Sequence, residues 1–128
     1  MKRVLFVCVE NSNRSQMAEA FARIHVAEKV QADSAGSKPS GVVNPKAVSA
    51  MAELGYDLSR HRSKSLDEID AGPYEFVVTM GCGDACPWIP AKNREDWELP
   101  DPKNMSPDDF RTVRDEIEKR VIGLLARV

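Results

Sequence analysis

Apolar residues along the chain follow two alternating patterns, which together predict strands that alternate with helices. Strands are predicted at residues 2–7 and 76–80, because the apolar runs within them, such as residues 4–7, are typical of parallel strands that are covered on both faces. Apolar residues spaced three or four positions apart indicate helices over residues 16–27, 45–54 and from 107 onwards. The stripes predicted for these helices are Met17, Phe21 and Ile24 beside Ala18, Ala22 and Val26; Ala47, Val48, Met51 and Leu54; and Phe110, Val113, Ile117, Val121 and Leu124.

Local signals mark the helix starts and the shorter elements. Asn44 before Pro45, and Ser106 before Pro107, are typical starts, because Asn and Ser cap the first turn and Pro fits the first helical position. The remaining predicted elements are a second strand at 30–33, a turn at 34–36, a short helix near 66–69, a mobile loop or short helix at 81–94, a brief fourth strand at 96–99 and a rigid turn at 100–102.

This order of elements predicts the fold class. Strands that alternate with helices form right-handed βαβ units, so we expect an α/β fold with three αβα layers and a central four-stranded parallel sheet. A single domain over residues 1–128 is predicted, because the length suits one core and no repeat or linker divides it. Ligands of such sheets bind outside the carboxyl ends of the strands. Cys8, Ser34, Cys82 and Asp101 all follow predicted strands, so we expect them to share one face.

Composition and charge exclude several classes of function. Charged residues make up 30% of the chain and the net charge is −2, so no basic field favours nucleic acid or an anionic membrane. No apolar run approaches the ~20 residues that a membrane-spanning helix needs. The chain enters a strand at once, so we expect no signal peptide and a reducing, cytoplasmic location. Three cysteines in that setting are expected to be catalytic or redox-active rather than structural.

The strongest chemical signal is the loop between the first strand and the first helix. Backbone N–H groups at a helix N-terminus converge on one small space, where the helix dipole also favours negative charge. Arg14 adds a planar guanidinium suited to an oxyanion, and the same positive features favour the thiolate of Cys8. The loop therefore predicts a nucleophile in an oxyanion cradle, although a buried cysteine near a surface arginine also fits the spacing. The predicted oxyanion-binding residues are Cys8, Val9, Glu10, Asn11, Ser12, Asn13, Arg14 and Ser15.

Three further residues are candidates for chemistry. Asp101 lies between two prolines, and a carboxylic acid beside an oxyanion can protonate a leaving oxygen, although Asp and Pro are also common in plain turns. Cys82 and Cys86 are close enough in sequence for a disulfide, or they are two inert loop cysteines. The chain lacks four ligands at zinc-like spacing, so no metal or other cofactor is predicted. Neither His25 nor His61 is predicted as a catalytic base.

Taken together, these motifs resemble the thioredoxin-coupled arsenate reductases, which share the fold of the low-molecular-weight tyrosine phosphatases. The resemblance covers nearly all of the chain. Its markers are Cys8-x2-Asn11-x2-Arg14-Ser15-Gln16-Met17-Ala18-Glu19, Ser34-Ala35-Gly36, Asn44-Pro45-Lys46-Ala47, Val77-Val78-Thr79-Met80, Cys86-Pro87 and Asp101-Pro102. The redox cysteines favour the reductase branch of the superfamily.

The resemblance implies a reaction for the loop. Arsenate, a tetrahedral oxyanion like phosphate, binds the loop and Arg14. The Cys8 thiolate attacks arsenic and Asp101 protonates the departing oxygen, while Asn11 and Ser15 hold the loop and stabilise the thiolate.

The resemblance also implies a relay of thiols. Cys82 attacks the Cys8 sulfur and releases arsenite, and Cys86 then forms a disulfide with Cys82. Thioredoxin, or a glutaredoxin or mycothiol system, reduces that disulfide. Two details depart from the family pattern: Gly81 stands directly after the third strand, where the second cysteine is usual, and the two redox cysteines are closer together than in the best-known members. A single-cysteine route through glutathione or mycothiol is the alternative.

Two more departures concern charge around the loop. Glu10 replaces a small residue; pointing outward it does no harm, and pointing inward it repels the anion. Some members of the family bind potassium beside the loop, and Asn11, Glu19 and Ser34 match three of the ligands. Lys64 stands where an acidic ligand is expected, so we predict that these four residues support the loop and that the Lys64 ammonium replaces the ion.

Two other functions fit parts of the pattern. A low-molecular-weight protein tyrosine phosphatase uses the same loop and acid, but such phosphatases usually carry aromatic residues after the Asp-Pro pair, where this chain has Lys103 and Asn104. A non-catalytic protein that binds arsenite or a soft metal through its three thiols would leave Arg14 and Asp101 without a task.

Overall fold

The computed structural model describes residues 2–26, 29–69, 72–81 and 89–128 of the chain. Its strands are β1 (Lys2–Cys8), β2 (Val30–Gly36), β3 (Tyr74–Thr79) and β4 (Ala91–Asp96), and its helices are α1 (Arg14–Val26), α2 (Pro45–Ala52) and α3 (Pro107–Leu125). Three short 3-10 turns lie at Leu58–Arg60, Leu66–Glu68 and Pro102–Asn104. Among these residues, no helix is both long and apolar enough to cross a membrane.

The four strands form one parallel sheet in the order β2-β1-β3-β4, which confirms the predicted sheet. The chain leaves β1 toward β2 on one side and returns to β3 on the other, so the strand order reverses between β1 and β3. In open α/β sheets a ligand binds at this reversal, outside the carboxyl ends of the strands. Here that place is occupied by Cys8, the last residue of β1, and by Met80 and Gly81, which follow the end of β3 at Thr79.

The two faces of the sheet are covered unequally among the described residues. The larger core lies between the sheet and the three α-helices, with Phe6 and Val78 of the sheet against Phe21, Met51 and Ile117 of the helices, all of them buried. On the opposite face Leu5, Val7 and Val77 form a smaller core, which Leu66, Ile69 and Ile89 cover. The sheet is therefore buried on both faces, as the continuous apolar runs of β1 and β3 predict.

The helix starts follow the predicted caps. The Asn44 side chain accepts the N–H of Lys46, and the Ser106 side chain accepts the N–H of Asp109. The predicted stripe of α3 is confirmed, because all five of its residues are buried. Two stripe predictions are wrong: Ile24 is 42% exposed and Leu54 is 43% exposed, because each lies near or beyond the end of its helix, where the core no longer covers it.

Two strand predictions are also wrong in their bounds. The second strand does not end before a turn at 34–36 but continues to Gly36, because residues 34–36 pair with residues 6–8 of β1. The fourth strand runs over Ala91–Asp96 rather than 96–99. It is an edge strand with mostly exposed polar side chains, so it carries no apolar pattern, whereas the buried Trp97 and Leu99 of the predicted range follow it. The predicted loop or helix at 81–94 is wrong for residues 91–94, which belong to β4 because they pair with the edge of β3. Residues 82–88 of the same prediction lie outside the described residues.

Candidate active site

One cavity lies at the carboxyl ends of β1 and β3, where the strand order reverses. Its lining consists of Cys8, Val9, Glu10, Ser12, Asn13, Arg14, Gly81 and Asp101. Most of these residues belong to the loop between β1 and α1, as predicted, and Gly81 and Asp101 come from the segments that follow β3 and β4. The fold therefore brings an acid to the loop from more than 85 residues away in sequence.

The loop turns its backbone carbonyl groups away from the cavity. The carbonyl oxygens of residues 8 to 13 all accept hydrogen bonds from the surrounding protein. The donors, in order from residue 8 to residue 13, are the N–H groups of Ser37, Lys38 and Ser40, the side-chain amide of Gln16, and the N–H groups of Asn44 and Met17. These bonds fix the path of the loop over the N-terminus of α1.

The N–H groups of the same loop are left for a ligand. Among the described residues, the N–H groups of residues 9, 10, 12, 13 and 14 donate to no protein acceptor. Residues 12 to 14 are themselves buried. Buried N–H groups without an acceptor are costly, and a cluster of them at a helix N-terminus is a binding site for an anion. The backbone N–H groups of this loop are therefore arranged as the predicted oxyanion cradle requires.

Hydrogen-bond donors surround the sulfur of Cys8. The backbone N–H of Asn11 donates to Cys8 Sγ over 3.2 Å, and Ser15 Oγ lies 2.8 Å from the same sulfur. The Asn11 side-chain amide donates to Ser15 Oγ, which leaves the serine's own proton for the sulfur. The orientation of that amide is fixed, because Asn11 Oδ1 accepts from Gln16 Nε2 and from the N–H of Lys64. Two hydrogen-bond donors therefore face the buried sulfur.

Arg14 is fixed at the opposite side of the cavity. Its side chain is only 10% exposed, and NH1 donates to the backbone carbonyl of Leu99 over 2.9 Å. NH2 lies 3.9 Å from Asp101 Oδ2. Asp101 caps the following 3-10 turn through Oδ1, which accepts the N–H of Lys103, so its second oxygen remains directed toward Arg14. The guanidinium thus connects the loop to the segment that carries the acid.

Glu10 points away from the centre of the loop. Its Oε2 lies 3.4 Å from Lys103 Nζ, and the side chain is 37% exposed. Of the two orientations that the sequence leaves open, the structure has the outward one. Lys103 neutralises this carboxylate at the rim, so that Glu10 does not oppose an anion in the cavity.

The four residues predicted to support the loop do lie together beneath it. Glu19 Oε1 accepts the hydroxyl of Ser34 over 2.6 Å and lies 3.6 Å from Lys64 Nζ. The backbone N–H of Lys64 in turn donates to Asn11 Oδ1. Ser34 is buried within β2, so it supports the loop from below and does not line the cavity with Cys8.

His61 is a residue of the loop support that sequence reasoning missed. Gln16 Nε2 donates to two oxygens of Asn11 and to the carbonyl of Arg62. Its Oε1 is left to accept, and His61 Nδ1 lies 2.9 Å from it. The other ring nitrogen lies 2.6 Å from the Tyr56 hydroxyl, and Nδ1 also lies 3.7 Å from Glu19 Oε2. Burial lowers the pKa of His61 below its usual 6.5 and so favours the neutral imidazole, to which the Tyr56 hydroxyl then donates.

The buried His61 predicts how stability depends on pH. Below about pH 6.5 His61 takes up a proton in the unfolded chain but remains neutral in the folded chain. The free energy of unfolding therefore falls as the pH decreases toward 5. Replacing His61 by glutamine, whose amide can still donate to Gln16, is expected to reduce that slope by up to about 1.4 kcal/mol per pH unit. Denaturant unfolding at several pH values measures it.

A second histidine provides the control. His25 lies on the exposed surface of α1, 2.9 Å from Glu118, and does not contact the loop network. The His25→Gln protein keeps the buried His61, so we expect it to retain the part of the pH dependence that His61→Gln removes. Equal pH slopes in the wild type and in the His61→Gln protein would contradict the assignment.

The structure brings together Cys8, Arg14, Ser15 and Asp101 of the six residues predicted as catalytic. Cys82 and Cys86 lie outside the described residues, and so does the pairing proposed for them. Gly81, the residue immediately before Cys82, does line the cavity.

Comparisons with known proteins agree with this geometry. The sequence model of the family described as low molecular weight phosphotyrosine protein phosphatase matches residues 3–128. The chain is 41% identical to a protein of Synechocystis named glutaredoxin arsenate reductase, with 100% of this chain and 99% of that protein covered.

Solved structures give the same result. A structure described as an arsenate reductase in the phosphate binding state superposes with a TM-score of 0.92 at 41% identity and covers 100% of this chain and 99% of its own. A thioredoxin-dependent arsenate reductase of Corynebacterium glutamicum superposes with a TM-score of 0.81 at 32% identity, covering 99% of this chain and 61% of its own. These matches over nearly the whole chain show that it belongs to the low molecular weight phosphotyrosine protein phosphatase family, among relatives that are named arsenate reductases.

Proposed function

We propose that this protein is an arsenate reductase, which converts arsenate to arsenite through a thiolate and two further thiols. The observation that carries the proposal is the convergence in one cavity of the Cys8 sulfur, the free N–H groups of its loop, the Arg14 guanidinium and the Asp101 carboxyl. A nucleophile, an oxyanion cradle and an acid are the parts that the first step needs. The names of relatives at 41% identity over the full chain support the same reaction.

The cradle selects a tetrahedral oxyanion. Arsenate, like phosphate, presents several oxygens that accept the loop N–H groups and the two-pronged guanidinium of Arg14. Binding places the central atom near Cys8 Sγ at the floor of the loop. The bound anion also satisfies the buried N–H groups, so binding and loop stability support each other.

The first chemical step uses three side chains. The Cys8 thiolate attacks arsenic and forms an S–As bond, while one As–O bond breaks. Asp101 supplies the proton with which that oxygen leaves as water. Ser15, which lies within hydrogen-bond distance of the sulfur, stabilises the thiolate before the attack.

Reduction requires the second and third thiols. In the proposed relay the Cys82 thiolate attacks the Cys8 sulfur, and the electron pair of the S–As bond passes to arsenic, which leaves as arsenite. Cys86 then attacks Cys82 and frees Cys8, so that two thiols are oxidised to one disulfide while arsenic gains two electrons. Cys82 follows directly on Gly81, which lines the cavity, and this connection supports Cys82 as the first attacking thiol.

The enzyme acts on an oxyanion and needs a redox partner. We propose thioredoxin as the reductant of the Cys82–Cys86 disulfide, with a glutaredoxin or mycothiol system as the alternative. Because the cycle depends on free thiols, we propose the reducing cytoplasm as its location.

One experiment tests the relay and its reductant. Arsenite formation is measured for the wild type, Cys82→Ser and Cys86→Ser with thioredoxin, glutaredoxin or mycothiol recycling. We expect multiple turnovers only in the wild type, and no more than one arsenite per molecule of Cys86→Ser, which stops at the Cys8–Cys82 disulfide. Normal turnover of Cys86→Ser would show that the third thiol is assigned wrongly. Turnover of both variants with glutaredoxin or mycothiol would favour the single-cysteine route.

The position of the Lys64 ammonium predicts whether the activity depends on potassium. It lies 3.6 Å from Glu19 Oε1, within the group that some relatives of this fold use to hold the ion, so we propose that it takes the place of potassium. We expect the rate of arsenite formation to be the same in potassium and in sodium chloride at equal ionic strength. Lys64→Asp removes the ammonium and restores an acidic ligand, so this variant should become faster in potassium than in sodium. A clear potassium stimulation of the wild type would contradict the proposal.

A weak phosphatase activity is the second candidate, because the cradle and Asp101 suit phosphate esters as well. The residue after the Asp101–Pro102 pair is Lys103, which pairs with Glu10 at the rim and offers no aromatic surface to a tyrosine ring. Slow hydrolysis of p-nitrophenyl phosphate, lost in Cys8→Ser, is the expected result. A thiol protein that merely stores arsenite or a soft metal would not need Arg14 and Asp101 beside Cys8.

A further inference from the structure

We propose that Gly81 is a positioning residue for Arg14, because the absence of a side chain at this position lets the guanidinium lie over the oxyanion loop. The proposal rests on the proposed function only in taking the cavity to bind a tetrahedral oxyanion. Gly81 follows Met80, beyond the end of β3, and lines the cavity together with Cys8, Arg14 and Asp101. Glycine carries neither a charged nor a nucleophilic side chain, so no catalytic motif in the sequence marks this position.

The space beside Gly81 is filled by the arginine. A Cβ atom added at Gly81 would lie 2.4 Å from Arg14 NH1 and 3.4 Å from its central carbon. Atoms that are not bonded do not approach to 2.4 Å, so any side chain at this position forces the guanidinium to move. The backbone of Gly81 also has φ = +73°, a conformation that side chains disfavour.

Arg14 is held beside Gly81 by two partners. Its NH1 donates to the carbonyl of Leu99 over 2.9 Å, and NH2 lies 3.9 Å from Asp101 Oδ2. The NH1 that makes the Leu99 bond is the atom that an added Cβ would meet. A shift of the guanidinium therefore lengthens or breaks the Leu99 bond and changes the position of Arg14 relative to the loop and Asp101.

A matched pair of substitutions tests the proposal. Gly55 has φ = +80° and nothing within 4 Å of an added Cβ, so Gly55→Ala carries the same backbone strain as Gly81→Ala without the contact. The dissociation constant of inorganic phosphate is measured by calorimetry, and kcat/KM for arsenate by arsenite formation. We expect Gly81→Ala to bind phosphate at least about 10-fold more weakly than Gly55→Ala, and to lose about 100-fold in kcat/KM. Phosphate affinities within about two-fold of each other would overturn the proposal.

A double variant covers the case in which Gly81→Ala does not fold. In the Arg14→Ala protein the obstructing guanidinium is absent. In that protein Gly81→Ala should therefore lower the free energy of unfolding by no more than Gly55→Ala does. A large extra loss in the Arg14→Ala protein would mean that Gly81 acts independently of Arg14, and would also overturn the proposal. Phosphate binding needs neither the relay thiols nor a reductant, so it tests the role of Gly81 separately from the proposed reaction. If Gly81→Ala bound phosphate weakly but the wild type did not reduce arsenate, the proposed function would be refuted and the role of Gly81 would stand.

Discussion

Replacing Cys8 by serine is expected to abolish arsenite formation, with a loss of at least about 1,000-fold. A serine hydroxyl stays protonated in this site and forms neither the S–As bond nor the disulfide that releases arsenite. The substitution is nearly isosteric, and the N–H of Asn11 and the hydroxyl of Ser15 can still bond the new oxygen. We therefore expect a folded protein that binds phosphate nearly as well as the wild type. Arsenite release and phosphate calorimetry on the same sample measure both parts.

Ser15→Ala is the matched comparison for this prediction. It removes the donor 2.8 Å from the sulfur and leaves the nucleophile in place, so we expect a partial loss, about 10-fold to 100-fold in kcat/KM. If Cys8→Ser kept more than a few per cent of the wild-type rate, another residue would have to be the nucleophile.

The loop between β1 and α1 was predictable as a candidate oxyanion site because its information is local. Cys8, Arg14 and Ser15 lie within eight residues, between a strand and a helix that the apolar pattern predicts, and loops in that position bind anions for reasons of backbone geometry alone. The parallel sheet follows from the same pattern. Asp101 was predictable only as a candidate, since its meeting with Arg14 depends on how the segment after β4 folds back over the cavity.

The bounds of β4 could not be read from the sequence, for a physical reason. An edge strand makes backbone bonds on one side only and exposes most of its side chains, so its sequence, Ala-Lys-Asn-Arg-Glu-Asp, need not be apolar. It becomes a strand because β3 offers an edge to pair with. The apolar Trp97 and Leu99, which lie in the range predicted as a strand, instead belong to the larger core between the sheet and the helices, beyond the end of β4.

Part of the support of the loop, namely His61 and the Glu10–Lys103 pair, was hidden because these contacts join distant parts of the chain. His61 reaches Gln16 across 45 residues, and Glu10 meets Lys103 across 93. Single polar residues at such separations carry no periodic signal, and a lone histidine is usually an ordinary packing residue. Only the hydrogen-bond directions in the folded chain show that His61 holds Gln16, that Gln16 holds Asn11, and that Asn11 leaves the Ser15 proton to the sulfur.

Replacing Arg14 by lysine is expected to lower kcat/KM for arsenate by about 100-fold to 1,000-fold although the positive charge is kept. The guanidinium donates to the Leu99 carbonyl through one nitrogen and faces Asp101 and the cavity with another, so one planar group spans the site. A lysine ammonium is a single point that can take the Leu99 bond or approach the anion, but not both in fixed geometry. Initial rates over a range of arsenate concentrations, with phosphate as inhibitor, separate the loss of binding from the loss in kcat.

The control for the arginine is Arg62→Lys. Arg62 is exposed and pairs with Glu68 at the surface, where such pairs contribute little, so this variant should keep the wild-type rate. The loss in Arg14→Lys should appear in kcat as well as in KM, because the charge that develops on the arsenate oxygens during attack needs donors already in place. A loss confined to KM would mean that Arg14 only attracts the anion. In that case a fixed guanidinium, and with it the side-chain-free Gly81, would have no part in the transition state.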